Sequence, residues 1–168
     1  PWDNMGNIYG VVLVRLNENA GWPESYIQFK TYSTPMWRRP ANSTGDWTYM
    51  GKSGTSGYLP VQAGQDYVVG MENRHFGTWD VGVDVDLPAA DVSKITNWAN
   101  AFSNSRTFNS QGMEHWMGVG NQSNIYKMFN NARAFAQDLS NWNLTGASCT
   151  YRWDHYTNVW KTDFKPNV

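Results

Sequence analysis

The side chains with which this chain could do acid–base or metal chemistry are His75, His115, His155, a scatter of carboxylates and one thiol, Cys149. No histidine stands four residues from another, and there is no His-Glu-x-x-His, the spacing that sets two imidazoles on one helical face around zinc. A single Cys closes no disulfide and completes no zinc site, so Cys149 is expected as a small apolar core residue. Glycoside hydrolysis needs two carboxyl groups converging across a cleft, and Glu24, Asp46, Glu72, Asp80, Asp84 and Glu114 are too dispersed to nominate a pair. No Gly-x-Ser-x-Gly elbow or Rossmann fingerprint occurs. The run from Gly51 to Gly57 holds Lys52 but does not complete the Gly-x-x-x-x-Gly-Lys-Ser/Thr of a phosphate loop, since Asp46 stands at its first glycine, and reads as a solvated loop. The expectation is therefore no enzyme, no metal and no cofactor.

Binding is better served than catalysis. In the loop-like segment Trp37-Arg38-Arg39-Pro40, a pair of guanidinium groups beside an indole could hold an anionic sugar or a carboxylate-rich partner. The plainer reading packs one Arg over Trp37 and leaves the other in water. Trp79, with Trp47, Tyr49 and Asp80, could form a sugar-stacking platform, an apolar plane with acceptors at its edge; the plainer reading makes Trp79 a core residue.

Short strands must position these groups. Ile8 to Leu16 is an apolar run closed by the turn cluster Asn17-Glu18-Asn19-Ala20-Gly21. Ser25 to Thr31 alternates, with Tyr26, Gln28 and Lys30 on one face and Ile27, Phe29 and Thr31 on the other. Trp47 to Met50, Tyr58 to Val61 and Asp66 to Met71 follow, and Val81, Val83 and Val85 alternate with Gly82, Asp84 and Asp86. About six strands at this spacing predict an antiparallel β-sandwich over residues 1–86. Pro88 marks its boundary.

Beyond it the chain repeats. Asn97, Phe102, Asn104, Arg106 and Phe108 return 27 residues later as Asn124, Phe129, Asn131, Arg133 and Phe135, and Trp116 returns 26 later as Trp142. Two copies, about 91–117 and 118–144, are followed by a C-terminal cap within a repeat domain over 87–168. A period of this length signals stacked supersecondary units. In each copy a short helical turn places Trp98 and Phe102, or Ile125 and Phe129, on one face. Phe108 and Trp116, or Phe135 and Trp142, follow. These eight anchors can be buried only against a neighbouring copy, and the sandwich is expected to cap the open N-terminal end. Asn beside Ser and Thr suits side-chain hydrogen bonds to backbone left open at the turns.

Asp91-Val92-Ser93-Lys94-Ile95-Thr96-Asn97, Phe108-Asn109, Met128-Phe129 and above all Phe135-Ala136-Gln137-Asp138-Leu139-Ser140-Asn141-Trp142-Asn143 resemble the repeat of the BspA-like leucine-rich-repeat surface proteins. That repeat is also known from mycoplasma surface lipoproteins and phage structural proteins. The ending, with Trp142, Cys149, Trp153, Trp160 and Lys165-Pro166-Asn167, is similar to that of phage arrays. The likeness covers about residues 86–168. It departs at Trp98 and Ala101, where the family has Met, and at Gly112-Met113-Glu114-His115, which replaces Asp-Leu-Ser. The resemblance implies a short leucine-rich-repeat-like solenoid over that span, which joined to the β-sandwich read from the strands gives a mainly β fold, and it implies action on a virion or at the cell surface.

With 13 basic and 14 acidic side chains, the chain has no general electrostatic hold on nucleic acid or anionic membrane. It also lacks the run of apolar residues needed for a membrane span. Aromatics form 15% of the chain, so contact through stacking and hydrogen bonds is the mode its composition favours. The expected function is that of a phage capsid decoration, head-fibre or tail-associated protein. Its partners would be other virion or surface proteins, further copies of itself, or a host-surface glycan. The alternative is a carbohydrate-binding, lectin-like adhesin module.

Overall fold

The computed structural model describes residues 7–30 and 34–168. The fold is mainly β. Strands β1 (Gly10–Leu16), β2 (Glu24–Phe29), β3 (Pro35–Pro40), β4 (Thr48–Lys52), β5 (Tyr58–Gln62), β6 (Gln65–Met71), β7 (Thr78–Val81) and β8 (Val85–Asp91) form two sheets, ordered β4-β3-β6-β1-β8 and β5-β2-β7. Every strand pair in them is antiparallel. The period-two pattern of β1 turns Val12, Val14 and Leu16 inward, where they share one core with Ile27, Phe29, Leu59, Val61, Tyr67 and Val69. Each such side chain contributes about 1.5–3 kcal/mol by leaving water.

Three expectations change here. The segment Trp37-Arg38-Arg39-Pro40 is no loop: it belongs to β3, hydrogen-bonded between β4 and β6. Pro35 and Pro40 stand at the strand ends, where a missing N–H costs the ladder little. The alternation from Val81 to Val85 spans two strands, because Asp84 adopts a left-handed φ of 57° and the chain crosses there from the three-stranded sheet to the five-stranded one. Thr31, expected at the end of β2, lies outside the described residues. The expected boundary after Asp86 falls inside β8, whose pairing with β1 is irregular at Leu87 and Pro88, so the proline sits where no ladder bond is required.

The remaining chain prolongs both sheets. At β7, Phe76 N–H donates to Asn97 C=O at 2.9 Å and Thr78 N–H to Ala101 C=O at 3.0 Å. At β8, Leu87 N–H donates to Gln111 C=O, Val92 N–H to Met117 C=O, and Met117 N–H to Ala90 C=O. Two columns of stacked turns grow from these edges. One is marked by the parallel bridges His75 to Asn97, Asn97 to Asn124 and Asn124 to Cys149, the other by Asp91 to Met117 and Asn143 to Asn167.

In the first column the backbone amides alternate in destination. Trp98, Asn100, Phe102 and Asn104 donate to carbonyls of the next copy, at Asn124, Tyr126, Met128 and Asn130, while Ala101, Ser103 and Ser105 donate back three residues within their own copy. The second copy repeats the scheme towards Cys149, Tyr151, Trp153 and His155. Left-handed residues make this possible: Asn100 and Asn104, then Lys127 and Asn131, then Arg152 and Tyr156, all with φ between 50° and 64°. The expected short helical turns at 98–102 and 125–129 are therefore successive tight turns, since a left-handed residue every fourth position interrupts any helix and sends alternate amides outward. Helical structure among the described residues is confined to three 3-10 turns, Gly54–Ser56, Met113–His115 and Thr162–Phe164.

The third pair of left-handed residues exposes a further copy, 25 residues on, within the segment expected only as a cap. Thr150 takes the place of Ile125. Asp154 takes that of Phe129 and pairs with Lys165 at 3.0 Å, so the outermost layer exchanges apolar anchors for polar groups, as a terminal repeat must. Cys149, expected in the core, is only half-buried and occupies the bridge position of Asn97 and Asn124.

All eight repeat anchors, Trp98, Phe102, Phe108, Trp116, Ile125, Phe129, Phe135 and Trp142, are buried. Phe102 stacks on Phe108 at 4.6 Å, Phe108 on Phe135 at 4.7 Å and Phe102 on Phe129 at 5.2 Å. Trp160 closes the spine against Phe129 and Phe135. Three indoles tie layer to layer: Trp116 donates to Leu87 C=O, Trp142 to Met113 C=O and Trp160 to Gln137 C=O.

Candidate functional site

The outer face of the three-stranded sheet gathers the most exposed aromatic surface of the sandwich. Strand alternation puts Tyr26 and Gln28 of β2 outward, and register sets Tyr58 of β5 opposite Gln28 and Pro60 opposite Tyr26. On the other side Gln28 faces Asp80 while Phe29 faces Thr78, so three residues of β7 oppose two of β2. Trp79 is the extra residue of this bulge. The inserted residue turns the indole out of the core, and Trp79 is 53% exposed, so its reading as a sandwich-core residue is overturned. Two glycines let the strands meet: a Cβ on Gly57 (φ 66°) would collide with the backbone of Phe29, and one on Gly82 with Ser25 and Tyr26.

The face is organised electrostatically. Tyr26 donates its phenol hydrogen to Asp80 Oδ2, a short bond that pushes the Tyr26 pKa up to about 12. The ring of Tyr58 stacks on Tyr26 at 5.7 Å and 17°. Lys30 Nζ lies 4.5 Å from the centre of the Trp79 ring, and partial burial draws its pKa down. Gln28 Nε2 donates to Ser56 C=O at 2.8 Å, which fixes the amide between the two aromatic ends. Flat apolar planes at Tyr58 and Trp79, with an oriented amide and carboxylate between them, suit the C–H face and hydroxyls of a sugar.

Trp47 and Tyr49 do not join Trp79. Tyr49 lies on β4 and Trp47 just before it, in the other sheet; Trp37 is 2% exposed beneath Tyr49, at 5.5 Å. Arg39 covers the ring of Trp47, not Trp37, at 4.3 Å and donates to Gly45 C=O, while Arg38 is exposed. The two guanidinium groups thus do not converge on one ligand.

The histidines are dispersed as well. His75 Nε2 is 3.0 Å from Ala99 C=O, His115 is 3.3 Å from Glu114, and His155 packs on Tyr156. No group of three His, Cys, Asp or Glu side chains placed to hold a metal exists among the described residues. No helix among them is long and apolar enough to cross a membrane.

Tyr58, Lys30, Gln28 and Tyr26 were absent from the residues singled out as binding groups. Their signal was the alternation of β2, which puts Tyr26, Gln28 and Lys30 on one face; what the sequence lacked was the pairing of β2 with β5 and β7.

Comparison with known proteins adds one match. No curated protein and no solved structure matches the chain. A family model matches residues 70–159, just over half of the 168 residues. The matched region begins at the end of β6, ahead of the first bridge at His75, and runs into the third copy. The chain belongs to the family described as Mycoplasma protein of unknown function, DUF285.

Proposed function

We propose that this is a non-enzymatic structural and interaction protein displayed at a cell surface or on a particle, in which the stacked turns form a short leucine-rich-repeat-like solenoid grown from a β-sandwich. The observation that carries the reading is the backbone continuity at β7 and β8, where both sheets pass into the stacked copies over one aromatic core. A scaffold so tied presents broad fixed faces. Its exposed apolar groups on the stacked turns include Met117, Tyr151 and Tyr156. Contact by stacking and hydrogen bonding suits such faces. The resemblance of the repeat to BspA-like surface proteins and to phage structural proteins supports display outside a cell, and within that the finer reading of a capsid decoration, head-fibre or tail-associated protein. Other surface or virion proteins, or further copies of this chain, are the proposed partners. Co-sedimentation tests this. Labelled protein is mixed separately with cell envelopes and with particles stripped of the component, with and without soluble sugars. Retention that sugars leave intact is expected; failure to be retained by either overturns the reading.

A second reading, a carbohydrate-binding module, is favoured by the bulge that exposes Trp79 beside Lys30, Gln28 and Asp80. Its test is Trp79→Ala. Retention that a sugar competes, and that this variant loses with its fold intact, would move the assignment to adhesion.

A further inference from the structure

A concavity of about 270 Å³ lies at one end of the sandwich, away from the face that carries Trp79, where the β1–β2, β3–β4 and β5–β6 loops meet. It is built in advance. Ala63 N–H donates to Pro23 C=O and Ala41 N–H to Gly64 C=O, so two backbone bonds lash the three loops together. Asn17 braces the floor, accepting from Asn19 N–H and donating to Asp86. Asn42 and Gly64, both in the lining, take left-handed φ of 61° and 77° that make their turns tight.

Trp22 lines this space yet is 44% exposed, so a large flat apolar surface faces a preformed hollow. Small aliphatic walls, Leu16, Ala20, Ala41 and Ala63, leave room beside it. Polar residues complete the lining: Glu18, Asn42 and Arg15. The Arg15 guanidinium is already engaged by Asp66 through Nε at 2.7 Å and Nη2 at 2.8 Å. Asp66 pairs with this one cation, Asp86 bonds Asn17 in the floor and Glu18 lines the hollow, so the local balance of charge is negative. Such a site repels an acid. The volume is at the small end for ligand pockets, enough for one ring rather than a polymer.

We propose that the Trp22 hollow binds a single hexose unit without an acid group, stacked by its C–H face on the indole, and that an amine on the sugar is drawn to Glu18. The site is independent of the Trp79 face, and its success or failure leaves the reading of that face unchanged.

The test uses the full chain and the methyl glycosides of glucose, glucosamine and glucuronate, followed by amide and indole NMR shifts. Glucose and glucosamine are expected to shift the Trp22 indole, with glucosamine tighter by roughly threefold, the worth of an exposed ion pair. Glu18→Gln should erase that preference. Trp22→Ala, at a half-exposed position, should abolish the response with the rest of the amide spectrum unchanged; Trp22→Phe should weaken it and Trp79→Ala should leave it intact. Glucuronate binding as well as glucosamine, binding that survives Trp22→Ala, or no shift with any of the three overturns the proposal.

Discussion

At the scale of single residues, the indoles divide into two kinds. Trp116 donates its N–H to Leu87 C=O at 2.8 Å, whereas Trp98, fully buried, has no acceptor for its N–H among the described residues. Replacing Trp by Phe removes similar volume at both places, but only Trp116→Phe strands a buried carbonyl. That variant should therefore cost about 1–3 kcal/mol more than Trp98→Phe, as measured by urea unfolding. Tyr26 offers a second test. Its folded pKa of about 12 lies above the ordinary 10.0, so the bond to Asp80 stabilises fully below pH 10.0 and is lost as pH rises through about 12. The phenolate absorbance assigned to Tyr26, by difference from Tyr26→Phe, should appear near pH 12. Asp80→Asn should bring it back towards 10.0, and an unchanged midpoint would break the assigned cause. Lys127 offers a third: it holds a φ of 50° that Asn accepts more readily, and Lys127→Asn should raise the melting temperature by about 1–4 °C.

At the scale of elements, the layers approach closely where glycine permits it. Gly118 has φ 82°, and a Cβ there would collide with the backbone of Ser93; Gly112, φ 94°, stands likewise against Pro88. Gly118→Ala must push one copy away from the layer before it, break the bonds of Met117 to Ala90 and Val92, and accept left-handed strain. A loss of about 2–4 kcal/mol in denaturant unfolding is expected, well beyond an ordinary surface substitution. The side-chain ladders at the column edges respond less. Asn121 to Ser93 C=O and Asn141 to Glu114 C=O are exposed, and each should be worth about 0.5–1.5 kcal/mol at most when changed to Ala.

At the scale of the whole molecule, sandwich and stacked turns share one hydrophobic core, and Phe76 from the sandwich packs on Trp98, Phe102 and Trp116. Cutting the chain after Asp91 would uncover β7 and β8 as two open edges and strip Phe76 of its cover. The full chain should therefore unfold in one transition by calorimetry and by tryptophan fluorescence together. A fragment of residues 1–91 should fail to give a dispersed amide spectrum and should aggregate through those edges. Two separate transitions, or a folded fragment, would show that the halves are independent.

What the sequence determined by itself was whatever depends on local period. The alternation of β1 and β2, the Gly and Asn turns, and the return of Phe and Trp after 26 or 27 residues name the strands, the buried anchors and the repeat, because hydrophobic periodicity is imposed by backbone geometry. It also held the clue to the third copy at 149–156, but there Thr150 and Asp154 replace the apolar anchors, so the hydrophobic signal fades where the stack meets water. Other features were decided only by pairing in space. β3 reads as a loop because Arg38, Arg39 and two prolines mask it, and it is a strand because β4 and β6 supply its hydrogen bonds. Trp79 reads more plainly as core than as platform, since a bulge is a count of residues against a partner strand and no single strand contains it. The Trp22 hollow is made by three loops; Glu18 and Trp22 share one of them, but nothing in the order of the residues brings Asn42 and Ala63 beside them, and the backbone bonds between the loops do.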